Sequence, residues 1–137
     1  MNGPRRKNLV LILAREFASN LATSMFVMDA DGNLVFFNEP AEEILGRRFA
    51  ESREMKATEW AKLFSPEALD GTPLAPEALP GGIAFSERRP THDTFRITGL
   101  DGQKREIAAT AFPLLGRADE FLGVVAIFWE RGQDGAG

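Results

Sequence analysis

The stretch of residues 25–49 constrains the fold of this 137-residue chain more than any other part of it. Two short apolar runs, Met25–Asp29 and Asn33–Phe37, stand on either side of the dipeptide Asp31-Gly32. Aspartate followed by glycine favours a tight hairpin turn, because glycine readily adopts the positive φ that such turns require. The pattern therefore predicts a β-hairpin.

A short helix is predicted directly after this hairpin. Asn38 stands at the expected N-cap, where its side chain can accept a hydrogen bond from an unpaired N–H group of the first turn. Pro40 costs little there, since first-turn N–H groups have no intrahelical acceptor. Gly46 can end the helix in the left-handed conformation. We expect Asn38 to be the structural cap of this helix.

The hydrophobic spacing of the remaining chain predicts three more helices and three more strands. The helices are expected over Asn8–Asn20, Thr58–Phe64 and Leu79–Arg89, and the strands over Thr91–Thr98, Lys104–Leu115 and Phe121–Trp129. A second hairpin turn is expected at Asp101-Gly102. Helices that are segregated from the last three strands are typical of an antiparallel sheet with helices on one side.

This order of motifs resembles a PAS domain over roughly residues 22–131. The hairpin turn, the helix start of N-x-x-[AF]-E type and the helix end of that family correspond to Asp31-Gly32, Asn38-Glu39-Pro40-Ala41-Glu42 and Ile44-Leu45-Gly46. Its last two strands resemble Ala109–Leu114 and Phe121–Val125. The resemblance implies an α+β fold with a five-stranded antiparallel sheet in the order 2-1-5-4-3, helices on one face and an N-terminal flanking helix.

Three parts of the chain are expected. Residues 1–21 form the flanking amphipathic helix, residues 22–131 the PAS-like domain, and residues 132–137 a glycine-rich tail that is predicted to be disordered. Many PAS domains end in a D-[ILV]-T motif that begins the linker to an output domain. Glu130-Arg131-Gly132 stands in that place here, so either the module acts alone or its output domain lies outside this sequence.

Composition excludes several chemistries. The chain has no cysteine and one histidine, so disulfides, thiolate metal sites and the cysteinyl-flavin adduct of the light-sensing (LOV) PAS subclass are excluded. His92 is predicted at a strand start, whereas the axial histidine of haem-binding PAS domains usually lies on the long helix. Haem is therefore disfavoured, no metal site is expected, and no cofactor is obligatory. A non-covalent flavin stays open, with Trp60 and Trp129 as electron donors, although we expect both to be core anchors.

The charge and hydropathy patterns also limit the partners. A net charge of −4 argues against nucleic acid, which requires a clustered basic face. No apolar run approaches the length of a transmembrane helix. We therefore expect a cytoplasmic protein without a nucleic-acid or membrane partner.

A ligand pocket is predicted between the sheet and the helices. Ala108, Ala109 and Ala111 are small residues on a central strand and could leave room there for a small apolar ligand. The alternative is that Phe64, Phe85 or Phe95 fill this room, because protein interiors are close-packed. The candidate pocket residues are Phe36, Phe64, Ile83, Phe85, Phe95, Ile97, Ala109, Ala111 and Val125.

A homodimer interface is predicted on the opposite face of the sheet. The last strand is apolar on both faces, so its second face requires the N-terminal helix or a second subunit as cover. The apolar arc of that helix is wide enough to pack on its own domain, on a partner copy, or on both. The candidate interface residues are Leu9, Leu13, Phe17, Leu21, Ile127 and Trp129.

Three hypotheses of function follow. The first is a non-enzymatic sensory or signalling module that dimerises, binds a small apolar ligand and acts on an output protein such as a histidine kinase. The second is a constitutive dimerisation or interaction scaffold with no ligand. The third is a small enzyme of a cone-shaped α+β fold, for which Asp93 is the only plausible inward carboxylate.

Overall fold

The computed structural model describes residues 3–49 and 55–131, with the backbone alone for residues 3–9. Its helices are α1 (Gly3–Ser19), α2 (Glu39–Leu45), α3 (Ala57–Lys62) and α4 (Pro80–Glu87), and its strands are β1 (Ser24–Asp29), β2 (Leu34–Phe37), β3 (Thr91–Thr98), β4 (Lys104–Leu115) and β5 (Phe121–Glu130). Short 3₁₀ turns cover Pro76–Ala78 and Arg117–Asp119. The predicted disordered tail, residues 132–137, lies outside the described residues.

The five strands form one antiparallel sheet in the order β2-β1-β5-β4-β3. The predicted α+β fold and strand order are therefore confirmed. β5 is the central strand, and it pairs with β1 on one side and with β4 on the other.

The predicted hairpin turns are present at both places. Gly32 and Gly102 have φ values of 86° and 83°, the left-handed values that the turns require. At the second turn, Asp101 accepts a hydrogen bond of 3.0 Å from Arg105 and one of 3.1 Å from the Gln103 N–H group. These bonds hold the pKa of the Asp101 carboxyl below its ordinary value, and the bond from Arg105 has the largest effect.

The helix that begins after Leu79 is shorter than predicted. It was expected over Leu79–Arg89, as the long connecting helix of a PAS domain, but α4 has eight residues. Pro80 occupies its first position, and Arg88 ends it in the left-handed conformation with φ 58°. The Arg88 guanidinium then donates to the Phe85 carbonyl and lies over the Phe121 ring, 3.5 Å from its centroid.

The two faces of the sheet are covered by different helices. The inner face, which includes Phe26, Ile107 and Phe128, packs against the layer of α2, α3 and α4. The outer face, which includes Val27 and Val125, packs against α1. Helices thus lie on one face as predicted, and the flanking helix α1 lies on the other.

Asn38 joins the two layers at the end of β2. Its Oδ1 accepts hydrogen bonds from the Met25 N–H group at 3.0 Å and from the Ala41 N–H group at 3.2 Å. Its Nδ2 donates to the carbonyls of Ala18 and Thr23, both at 2.9 Å. Asn38 therefore occupies the predicted N-cap of α2 and also binds the last turn of α1 and the start of β1.

Candidate functional site

A cavity of about 380 Å³ lies between the inner face of the sheet and the segments that carry α3 and α4. This volume is within the range of small-molecule sites in proteins. Apolar and aromatic residues of the sheet and of the helical layer line the interior of the cavity. They are Phe26, Met28, Leu45, Ala57, Trp60, Ala61, Phe64, Pro66, Pro76, Leu79, Pro80, Gly81, Gly82, Phe85, Phe95, Ile97, Ile107, Ala109, Ala126 and Phe128.

Small residues make the space on the sheet side of the cavity. Ala109 of β4 and Ala126 of β5 are both buried on the inner face, and each ends at a single methyl group. The phenyl rings of Phe64, Phe85 and Phe95 line the cavity without filling it. Room for a ligand therefore remains above the central strands.

The glycine pair at the start of α4 sets how closely this helix approaches its neighbours. A Cβ at Gly81 would lie 3.1 Å from the Phe26 ring, and a Cβ at Gly82 would meet the Pro76 carbonyl oxygen and lie 2.8 Å from the Glu77 Cα. By helix propensity alone, two glycines in succession would only weaken the helix. In the folded domain, Gly81 and Gly82 allow α4 to pack closely against the Phe26 side chain and the 76–78 turn.

An aromatic cluster around Trp60 forms one wall of the cavity. The Trp60 ring lies 5.2 Å from Phe26, 5.4 Å from Phe37 and 5.4 Å from Phe64, centroid to centroid. These separations are those of favourable aromatic pairs. Trp60 is a buried core residue as expected. The other tryptophan, Trp129, was also expected in the core, but it is 41% exposed. It follows Val125 and Ile127 on the outer face of β5 and lies near the end of the strand.

Charged residues stand at the rim of the cavity. Asp31, Lys56 and Glu77 border it and are exposed to solvent. The Lys56 Nζ donates a 2.8 Å hydrogen bond to the Asp31 carbonyl. The interior therefore suits an apolar body, while polar atoms of a bound molecule can face water at the rim.

Five of the predicted pocket residues lie together in this cavity: Phe64, Phe85, Phe95, Ile97 and Ala109. Ala111 is on the same face but packs with Met28 and Ala84 beside the cavity. Ile83 is half-buried in α4 and does not line it.

The prediction that Phe36 and Val125 line the pocket is wrong, because both residues lie on the outer face of the sheet with α1. Alternation along β5 sends Val124 and Ala126 inward, which sends Val125 outward. A register irregularity between Val27 and Met28 displaces the alternation of the hairpin, so that Phe36 lies outside.

Several residues of the cavity wall were not among the sequence predictions. Phe26, Trp60 and Phe128 supply aromatic surface, and Gly81 and Gly82 supply the close approach of α4. Phe26 could have been found from the same alternation that places Met28 inside. No comparable sequence signal marks the glycine pair as part of a ligand site.

A second, apolar groove lies between α1 and the outer face of the sheet. It is lined by Val10, Leu13, Ala14, Phe17, Met25, Phe112, Leu114, Val125 and Ile127. Of the predicted interface residues, Leu13 and Phe17 line the groove and are each 58% exposed. Ile127 lines it and is half-buried, and Leu21 is half-buried beside it. Trp129 lies farther along β5, 6.1 Å from the His92 ring. The side chain of Leu9 lies outside the described part of the chain.

His92 and Asp93 line neither the cavity nor the groove. His92 and Asp93 are exposed on β3, and the Asp93 carboxylate accepts a 2.8 Å hydrogen bond from the Thr94 N–H group. Asp93 is therefore not the inward carboxylate that the enzyme hypothesis requires. Within residues 3–49 and 55–131, no group of three or more histidine, aspartate or glutamate residues could hold a metal ion. Nor is any helix in those ranges long and apolar enough to span a bilayer.

Comparison with known proteins identifies the fold. No family model and no curated protein matches the sequence. Among solved structures, the PAS domain of Bordetella pertussis BvgS is 13% identical with a TM-score of 0.62, over 93% of this chain and 90% of that one. A Rhodobacter sphaeroides LOV protein is 14% identical with a TM-score of 0.72, over 91% and 69%. The phage VqmA–DPO complex is 14% identical with a TM-score of 0.65, over 96% and 56%.

The chain therefore has the PAS fold, as the motifs predicted. At these identities, the similarity establishes the fold alone.

Proposed function

We propose that this chain is a sensory module that binds a small, mostly apolar ligand in the cavity between the sheet and α3 and α4. The cavity itself is the observation that carries the proposal. It has the volume of a ligand site, apolar walls and a charged rim. One of the similar structures is that of the phage VqmA–DPO complex, in which a protein that contains this fold is bound to DPO.

The sheet provides a route from the cavity to α1. Phe26 of β1 lines the cavity, while its neighbours Met25 and Val27 pack on the outer face beside α1. A ligand that binds one arrangement of α4 and the sheet more tightly than another shifts the population toward it. Because β1 contacts both layers, this shift alters the surface on which α1 rests.

The exposed apolar residues at the outer groove support the proposal that the partner is a second copy of the chain. Ile12, Leu13 and Phe17 are large apolar side chains that α1 leaves exposed, at 56%, 58% and 58%. Exposed apolar patches of this kind mark association surfaces. In a two-fold dimer, the same patch of each copy meets the other, so the stripe on one α1 can cover the stripe of its partner.

Substituting Phe17 with glutamate is expected to weaken dimerisation by about 100-fold or more, because a charge replaces an aromatic anchor at the centre of the contact. Sedimentation velocity over a concentration series measures the change. Leu69→Glu is the matched control, since Leu69 is an exposed leucine on a distant loop, and its dimer constant should equal that of the native protein. If Phe17→Glu dimerised as tightly as Leu69→Glu, the proposal that α1 forms the dimer interface would be wrong.

The ligand proposal is tested by native mass spectrometry of the purified chain, with organic extraction and an absorbance spectrum of the same sample. The expected result is a mass above that of the polypeptide, which denaturation releases. A bare polypeptide, both as isolated and after incubation with an extract of small molecules from the producing cells, would overturn the proposal.

The constitutive scaffold is the second candidate function, and the outer groove favours it because association there requires no ligand. The two candidates differ in how the dimer responds to the cavity. A dimer constant that changes when the cavity is occupied identifies a sensor, and one that is independent of occupancy identifies a scaffold.

A further inference from the structure

The opening of the cavity is marked by the lining residues that solvent reaches. These are Asp31 in the β1–β2 turn, Lys56 and Thr58 at the start of α3, Glu77 in the 76–78 turn and Ser86 in α4, all of which are exposed. The opening therefore lies between the β1–β2 turn, the start of α3 and α4. It is the route by which a molecule can reach the apolar interior.

The two sides of this opening are joined to the β1–β2 turn in different ways. On the α3 side, the Ala57 N–H group donates a 2.8 Å hydrogen bond to the Gly32 carbonyl, and the Lys56 Nζ donates one of 2.8 Å to the Asp31 carbonyl. On the α4 side, no backbone hydrogen bond between described residues joins the helix to the turn. The α4 side can therefore move without breaking the backbone hydrogen bonds that fix the turn.

Phe85 spans the gap between α4 and the turn. A Cβ at Gly32 would lie 3.4 Å from the Phe85 Cζ, so the tip of the ring lies against this glycine. Phe85 is half-buried and also lines the cavity. Its side chain therefore stands between the apolar interior and the solvent.

Arg88 holds the end of α4 against the sheet beside Phe85. The Phe85 ring meets the Phe121 ring edge to face, with 5.5 Å between the centroids. The Arg88 guanidinium lies over Phe121 and within 5.8 Å of the Phe85 centroid, and its Nε donates a 2.8 Å hydrogen bond to the Phe85 carbonyl. Because Phe121 begins β5, this cation–π contact joins the end of α4 to the central strand.

We infer that Phe85 is the gate of the cavity and that Arg88, packed on Phe121, is the latch that keeps the gate closed. This inference rests on the proposed ligand function and adds the route by which the ligand enters and leaves. When the end of α4 moves away from Phe121, the Phe85 ring leaves Gly32 and the opening widens. A gate acts on entry and exit alike, so it sets the rates of binding and changes the dissociation constant little.

Stopped-flow measurement of tryptophan fluorescence on the full chain, with 2-acetonaphthone as the apolar probe, tests the gate. Phe85→Ala removes the ring from the gap, so both the association and the dissociation rate should rise by about tenfold or more. A residue that only contacts the bound molecule acts mainly on the dissociation rate. The association rate is therefore the readout that distinguishes a gate from a wall.

Arg88→Gln tests the latch without a change in the cavity wall. Arg88 is exposed, so the domain stays folded, and both rates should rise by about two- to fivefold, the value of one exposed cation–π contact. The dissociation constant should equal that of the native protein. Arg89→Gln is the matched control, because the neighbouring Arg89 pairs with Glu87 at 2.7 Å, and it should keep the native rates.

Two results would overturn the inference. An association rate of Phe85→Ala equal to that of the native protein would assign Phe85 to the cavity wall, and equal rates for Arg88→Gln and Arg89→Gln would exclude the latch. Both results leave the cavity as a ligand site. A native protein that does not bind the probe contradicts the proposed function itself.

Discussion

Asn38→Ala is expected to lower the free energy of unfolding by about 3–5 kcal/mol, which is a large part of the total stability of a domain of this size. Asn38 is 2% exposed, and its side chain makes four hydrogen bonds to backbone groups of three different elements and of the turn between α1 and β1. Alanine leaves the N–H groups of Met25 and Ala41 and the carbonyls of Ala18 and Thr23 without these partners. We expect the melting temperature to fall by about 10–20 °C.

Two further variants make this measurement specific. Asn33→Ala removes one half-buried side-chain hydrogen bond, 3.3 Å to Asp29, and should cost less than about 1 kcal/mol. Asn38→Asp keeps both accepted hydrogen bonds but places a buried carboxylate oxygen against the Ala18 and Thr23 carbonyls, so at neutral pH it should be at least as destabilising as Asn38→Ala. Urea denaturation of the three variants would contradict this account if Asn38→Ala were as stable as Asn33→Ala.

Ala109→Phe is expected to abolish ligand binding while the domain stays folded. The Ala109 methyl group borders the cavity on the inner face of β4, so a phenyl ring at this position enters the space that a ligand would occupy. The affinity for 2-acetonaphthone, a small neutral aromatic ketone used as an apolar probe of the cavity, should fall by about 100-fold or more. The ring buries apolar area in a space that is already open, so the free energy of unfolding should stay equal or rise.

Ala109→Val is the graded control for this prediction. Valine adds two methyl groups, suits a strand and leaves most of the cavity open, so it should reduce the affinity far less than phenylalanine does. Titration of both variants by isothermal calorimetry provides the comparison. An Ala109→Phe protein that binds the ketone as tightly as the native chain would place the ligand elsewhere.

Local sequence rules predicted the elements of the fold well, because each depends on residues that are close together in the chain. The Asp-Gly turns, the cap at Asn38 and the left-handed Gly46 all follow from backbone chemistry within a few residues. The strand order is a non-local property, and it was predicted only through the resemblance to the PAS family.

The cavity was less predictable, because its walls depend on which face of each strand turns inward. Both faces of β2 and β5 are apolar, so composition could not show whether Val124 or Val125 faces inward. Phe36 was assigned to the wrong face because the register irregularity in the hairpin could not be predicted. The Gly81-Gly82 pair has a local cost in helix propensity and a tertiary benefit in close packing. The benefit in close packing cannot be predicted from the sequence until Pro76 and Phe26 are known to be neighbours of the pair.

Hydrogen–deuterium exchange of the full chain, with and without 2-acetonaphthone, tests the ligand site most directly. In the free protein, the amides of α4 should exchange faster than those of the central strand β5, because α4 is short and covers an empty cavity. The ketone should slow exchange in α4 and in residues 57–64, and Ala109→Phe should not respond to it. Exchange in α4 that is as slow as in β5 without the probe, or that the bound probe leaves unchanged, would contradict a ligand-responsive cavity.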